Sequence, residues 1–150
     1  MRYYIINEDT HAILPYLDIY SIIYERNEIK IIKRSPQSII NFNCLINGST
    51  YDGRHKGSSK ILGCSYKSPI SIKDNLIFFP TSSPRLKKCS WINLNSINFI
   101  DSYKDKKSST ITFDNNLKLL FHVSTTIINN QYLKALLLNN KLNKKTGQFM

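Results

Sequence analysis

The side chains able to do chemistry crowd into one stretch, Gly48-Ser49-Thr50-Tyr51-Asp52-Gly53-Arg54-His55-Lys56-Gly57-Ser58-Ser59-Lys60. It holds three glycines, four hydroxyls, one aromatic ring and three permanent cations, and no aliphatic side chain. Such a segment belongs on the surface. Glycines let backbone amides come close to phosphates, hydroxyls and amides donate to phosphate oxygens, and Arg or Lys neutralise the charge. The plainer reading is a long polar loop without a ligand. A second cationic stretch follows at Pro80-Thr81-Ser82-Ser83-Pro84-Arg85-Leu86-Lys87-Lys88-Cys89, where two prolines restrict the backbone. The Gly-x4-Gly-Lys-Ser/Thr pattern of a nucleotide-hydrolysing phosphate loop is absent. His11, His55 and His122 are far apart, the three cysteines lack zinc-ligand spacing, and Asp52 with His55 lacks the further carboxylate of a metal nuclease. No enzymatic activity, metal or cofactor is expected.

A mainly antiparallel β framework must carry these segments. Arg2–Ile6, His11–Leu17 and Ile19–Tyr24 read as strands, the third buried on both faces, and Pro15 suggests a sheet edge or strand start. Glu28–Ile32 places Ile29 and Ile31 on one face and Lys30 on the other. Ser35-Pro36 opens a helix that Asn47-Gly48 closes, with Ile39, Ile40, Phe42, Leu45 and Ile46 forming its apolar stripe. Beyond the polar stretch, Ile61-Leu62 reads as a short strand, and Ile70–Ile72 with Leu76–Phe79 as a hairpin. Trp91–Ile100 is one strand, irregular near Ser96; Thr110–Phe113 and Leu117–Val123 flank a turn at Asp114-Asn115-Asn116. Ser124 or Thr125 caps a helix through about Leu142, and residues 143–150 form a polar, frayed tail. Cys89 and Trp91 are expected in the core. The fold class is therefore α+β, a single domain of antiparallel sheet with one short central helix and a C-terminal helix, residues 1–34 being the β scaffold. No helix with a basic, polar face stands out.

The 150 residues carry a net charge of +11 and a pI of about 9.6, with 41% hydrophobic and 21% charged residues. Hydrophobic content excludes a wholly disordered chain. No apolar run reaches the ~18 residues of a membrane span. The N-terminus turns acidic at Glu8-Asp9 before a secretory leader could form. Three widely spaced cysteines suit reduced thiols in the cytoplasm. Asn, Ile and Lys have A/T-rich codons, so part of the basicity reflects genome composition. That bias acts along the whole chain, whereas the charge is uneven. Residues 1–30 hold three cations and five carboxylates, net −2, which leaves +13 on the remaining 120. The asymmetry points to a polyanionic partner.

Gly48-Ser49-Thr50-Tyr51-Asp52-Gly53-Arg54-His55-Lys56-Gly57 resembles the G-S-S-Y-x-G-R-x-x-G stretch of the ComK family, competence transcription factors of low-GC Gram-positive bacteria. Ser68-Pro69-Ile70, Phe78-Phe79-Pro80-Thr81 and Cys89-Ser90-Trp91-Ile92 follow in the family's order. The resemblance spans about residues 30–140 and is strongest over 48–92; the first 30 residues match weakly.

It implies a cytoplasmic, nucleoid-associated activator of DNA-uptake genes that binds paired A/T-rich boxes through the minor groove as a homo-oligomer and works with RNA polymerase. A narrow A-tract minor groove attracts inserted Arg or Lys, and base readout there separates little beyond A·T from G·C. On this reading Arg54 enters the groove, and Lys56 and Lys60, together with Ser49 and Thr50, bind the DNA at its phosphates. Tyr51 either packs on sugar or pins the loop. Arg85, Lys87 and Lys88 form a second contact set, while Gly48, Gly53 and Gly57 shape the loop. The alternative is a basic β-rich protein that binds RNA, or nucleic acid without specificity. Family members continue past the part resembling Gln148-Phe149-Met150 into a Leu-Tyr-Pro tail that recruits the MecA adaptor of the ClpC protease. This chain ends at Met150, so it reads as a C-terminally shortened member for which adaptor recruitment is not implied.

Overall fold

Neighbouring residues of the central strands point into two different cores, and this divides the molecule into three layers. In the computed structural model, residues 3–64, 66–104 and 106–148 are described. Six antiparallel strands form the large sheet: β1 (Thr10–Tyr16), β2 (Tyr20–Glu25), β3 (Ile29–Ile32), β4 (Ile70–Lys73), β5 (Leu76–Pro80) and β6 (Trp91–Asn93), in the order β3-β2-β1-β6-β5-β4. A smaller antiparallel sheet has the order β7-β8-β9, from Ile97–Ser102, Ser109–Phe113 and Lys118–Phe121. Ile13, Phe78 and Trp91 face the side where α1 (Pro36–Ile46) buries Ile39, Ile40 and Cys44. Ala12, Ile77, Phe79 and Ile92 face the other side, against Ile111, Phe113 and Phe121 of the small sheet. Ile128, Ala135 and Leu138 of α3 (Thr125–Gln148) complete that second core. Period-two alternation across one sheet thus builds both.

The α+β class with dominant antiparallel sheet holds, and Cys89 and Trp91 are in the core. Ser35 accepts from the Ser38 amide at 3.1 Å and Pro36 stands at the first helical turn, as the sequence predicts. Ser124 Oγ accepts from the Ile127 amide at 3.3 Å, starting α3. Several details differ. The two-faced strand is β5, whereas Ile22 and Tyr24 of β2 are half-exposed. Residues 3–6 are not a strand, and Arg2 lies outside the described residues. A helix side chain occupies that backbone instead: Asn43 accepts from the Ile6 amide at 2.9 Å and donates to the Tyr4 carbonyl at 2.8 Å. Pro15 sits in an inner strand, but where β1 has run past its two-residue pairing with β6. The expected strand over 91–100 is split by a 3-10 turn at Leu94–Ser96. Asn93 makes the break by accepting from the Asn95 amide at 3.0 Å while donating to the Thr10 carbonyl at 2.9 Å. α3 runs on to Gln148 rather than stopping near Leu142; Phe149 and Met150 lie outside the described residues. No helix among the described residues is long and apolar enough to cross a membrane.

Candidate nucleic-acid interface

The largest departure from expectation lies where the chemistry is concentrated. Residues 51–62 are a helix, α2 (Tyr51–Leu62), not a loop followed by a strand. Its ends explain it. Ser49 N–H donates to the Cys44 carbonyl as α1 ends, and Gly48 takes φ +90°, a left-handed turn that glycine adopts without strain. Thr50 Oγ1 then accepts from the Gly53 amide at 2.9 Å as N-cap, and Asp52 sits in the first turn, where a carboxylate suits the positive helix end. Gly63, at φ +72°, closes the helix with its amide on the Ser59 carbonyl at 2.8 Å. Tyr51, His55, Ser58 and Leu62 form the inward stripe, at i, i+4, i+7 and i+11. Only Tyr51 and Leu62 of these are apolar, so hydrophobic periodicity could not reveal the helix; the Thr50 cap and Gly63 were its legible marks.

Outward, α2 presents Gly53, Lys56, Gly57 and Lys60, all exposed and at helical spacing. A methyl group at Gly57 would meet nothing within 4 Å. The outer face therefore carries Lys56 and Lys60 beside two glycines, which on their other side open onto a cleft of about 370 Å³ walled by Asp74, Asn75 and, from α3, Leu138 and Leu142, and a helix with a basic, polar face exists after all. The inner face is pinned by Tyr51, half-buried against the core with its ring edge-on to Trp91 at 6.2 Å and His55 5.8 Å away. Burial pushes the Tyr51 hydroxyl up to about 12.

Arg54 does not project outward. Its Nη2 donates to the Asn47 carbonyl at 2.8 Å, satisfying the C-terminus of α1, and its Nε is buried without a partner. Thr50 is occupied as a cap, and Ser49 Oγ contacts the Thr50 carbonyl at 3.3 Å.

The second stretch is an ordered loop. Thr81 and Ser90 close it with two hydrogen bonds, of 2.9 and 3.0 Å, and the Leu86 and Cys89 amides donate to the Ser83 and Leu86 carbonyls. Arg85, Lys87 and Lys88 are exposed on it. Lys87 lies 3.6 Å from Asp18, an exposed pair worth about 0–1 kcal/mol.

A cleft of about 620 Å³ joins the two stretches, with Tyr51, Asp52 and His55 on one wall and Ser83, Pro84 and Arg85 on the other. Lys67 lines it and also an adjoining cleft of about 440 Å³ with Lys88, Lys106, Lys107 and His122. Among the described residues, five cations therefore surround two continuous clefts whose lining includes one carboxylate, Asp52. The sequence reading missed Lys67, Lys106 and Lys107. Lys67 is placed by Gln131, which is buried on α3 and donates from Nε2 to the Lys67 carbonyl at 2.7 Å and the Pro80 carbonyl at 2.9 Å. Among the described residues no group of three or more His, Cys, Asp or Glu could hold a metal ion.

A protein-family model described as ComK protein matches residues 1–147. The competence transcription factor of Bacillus subtilis (strain 168) is 28% identical over 145 residues, covering 92% of this chain and 74% of that protein. No solved structure matches.

Proposed function

Since the chain belongs to the ComK family, we propose that it is a DNA-binding transcription factor of competence genes that recognises paired A/T-rich boxes from the minor groove. One observation carries this: two joined clefts rimmed by Arg85, Lys67, Lys88, Lys106 and Lys107 lie beside a helix whose exposed face carries Lys56 and Lys60 next to the glycines Gly53 and Gly57. Such a face admits a phosphate ridge without steric exclusion, and the cations neutralise it. Lys56, Lys60, Arg85, Lys87 and Lys88 hold phosphates in this reading, and Tyr51 and Thr50 act by fixing α2. Arg54 reaches the groove by releasing the Asn47 carbonyl. Nothing in a minor-groove mode demands a helix lying in the major groove, and box choice comes from groove shape and charge.

The test is competition for a labelled duplex bearing two A/T boxes. Unlabelled A/T duplex should displace it at far lower concentration than G/C duplex or RNA. Equal competition by all three would replace the transcription-factor reading with a non-specific nucleic-acid binder.

A further inference from the structure

The cleft between α2, α3 and the turn of the β4–β5 hairpin holds two opposite charges that the fold does not pair with each other. Its volume, about 370 Å³, is that of a small-molecule site. Its walls are tied in place. Lys141 Nζ donates to the Ile61 carbonyl at 3.2 Å, joining α3 to the end of α2, and Asn95 Nδ2 donates to the Asn75 carbonyl at 2.8 Å, holding the hairpin turn. Arg54 and Asp74 both line the cleft, yet among the described residues no ion pair joins them. Arg54 spends Nη2 on the Asn47 carbonyl, but its Nε–H is buried without an acceptor. Asp74 is exposed at the turn and makes no ion pair among the described residues. Ile61, Leu138 and Leu142 supply an apolar wall. Beside them Gly57 leaves open space, since a methyl there would meet nothing within 4 Å.

We propose that this cleft binds a free α-amino acid with an apolar side chain, of about the size of leucine or phenylalanine. A buried N–H without an acceptor is costly, and a carboxylate oxygen is the acceptor that also answers the guanidinium charge. A simple anion does not complete the site, because Asp74 repels it and it gains nothing from the three aliphatic side chains. A wholly apolar ligand leaves the Arg54 Nε–H unpaired. A zwitterion meets every demand at once: its carboxylate accepts from Arg54, its ammonium faces Asp74, and its side chain lies on Ile61, Leu138 and Leu142. A carboxylate on Nε also holds Arg54 at the end of α1, where it cannot enter a groove. That consequence rests on the DNA-binding reading; the binding itself does not.

Isothermal titration calorimetry of the full chain without nucleic acid tests it, with circular dichroism as the check of folding. L-phenylalanine and L-leucine should each bind at one site, and L-serine far more weakly. L-phenylalaninamide, which lacks the carboxylate, should bind about 10–100-fold more weakly than phenylalanine, as the loss of a hydrogen bond to a charged group requires. 3-Phenylpropanoate, which lacks the ammonium, should bind about two- to fivefold more weakly, because its partner is an exposed carboxylate. Asp74→Asn, which keeps the turn chemistry, should erase the second difference and leave the first. Arg54→Gln should erase the first and leave the second. A wild type that binds neither apolar amino acid up to the limit of its solubility overturns the proposal. So does serine binding as tightly as phenylalanine, or a preference for phenylalanine over 3-phenylpropanoate that survives Asp74→Asn. The Asp74 outcome decides even if Arg54→Gln fails to fold. If phenylalanine binds in this way but no duplex does, the DNA-binding reading fails and this one stands.

Discussion

Arg54 and Asn47 are joined across the corner between two helices, the guanidinium Nη2 donating to the backbone carbonyl at 2.8 Å. The cation expected to be a projecting finger is thus the group that satisfies the end of the preceding helix. Two consequences separate cleanly. Arg54→Ala should lower the unfolding free energy by about 1 kcal/mol, the net worth of one such bond, read from the urea midpoint. If Arg54 also enters the groove, the preference for A/T over G/C duplex falls by about 1–3 kcal/mol. A stability loss with an unchanged preference leaves Arg54 as a cap alone.

Gly57 and Gly53 share the outer face of α2 but should respond differently to alanine. A methyl at Gly57 enters open space, so Gly57→Ala should raise stability by roughly 0.5–1 kcal/mol. At Gly53 the new carbon would stand 3.0 Å from Ser49 Oγ and 3.1 Å from Thr50 Oγ1, crowding the cap, and the gain should shrink or reverse. Duplex affinity should nevertheless fall in Gly57→Ala, because the backbone can no longer lie as close to phosphate. A variant that is both more stable and equally tight removes α2's outer face from the interface.

Salt gives an independent measure of the phosphate contacts. With about six phosphates neutralised per binding unit, log affinity should fall with log salt at a slope of order −5. Lys87→Ala should weaken A/T and G/C duplexes alike and flatten that slope by about one. Its effect on folding should be small, because Asp18, with which it pairs, is an exposed carboxylate. A nearly flat salt response contradicts the electrostatic basis of binding.

Stability should decline in mild acid because of His11. This side chain is fully buried, stacked on Phe113 at 5.1 Å, with Nε2 3.4 Å from the Asp114 carboxylate. Burial lowers its proton affinity below the ordinary value, and Asp114, itself held by Arg26 at 2.8 and 2.9 Å, opposes that shift only in part. The unfolded chain therefore binds more protons than the folded one below about pH 6.5. The contribution is intact above that pH and is lost as the pH falls towards the lowered folded value. Urea midpoints at several pH values should show this decline, and His11→Gln should reduce it.

Much of the sheet was legible because alternation and turn chemistry are local. Asp114-Asn115-Asn116 marks its hairpin, and Ser35-Pro36 marks the start of α1 by the cap it forms. α2 was not legible for a physical reason. Two glycines and seven polar side chains on a twelve-residue helix leave no apolar period to detect, and the helix is fixed by its ends and by Tyr51. Of the candidate site, the exposed cations of both stretches could be read from composition. The roles of Arg54 and Thr50 could not, because each is spent on a backbone group that only the fold brings near. Lys67 escaped because its place depends on Gln131, 64 positions away.

Phe78 and Phe79 point from adjacent residues of β5 into opposite layers. Neither layer can come away while the other keeps its packing, since both lean on the same few strands. Heating should therefore melt the protein in a single step, with Trp91 emission and backbone dichroism tracing one curve. A lesion felt by one side would be felt by both, and partial digestion should yield intact chain or small peptides in place of a trimmed, durable fragment.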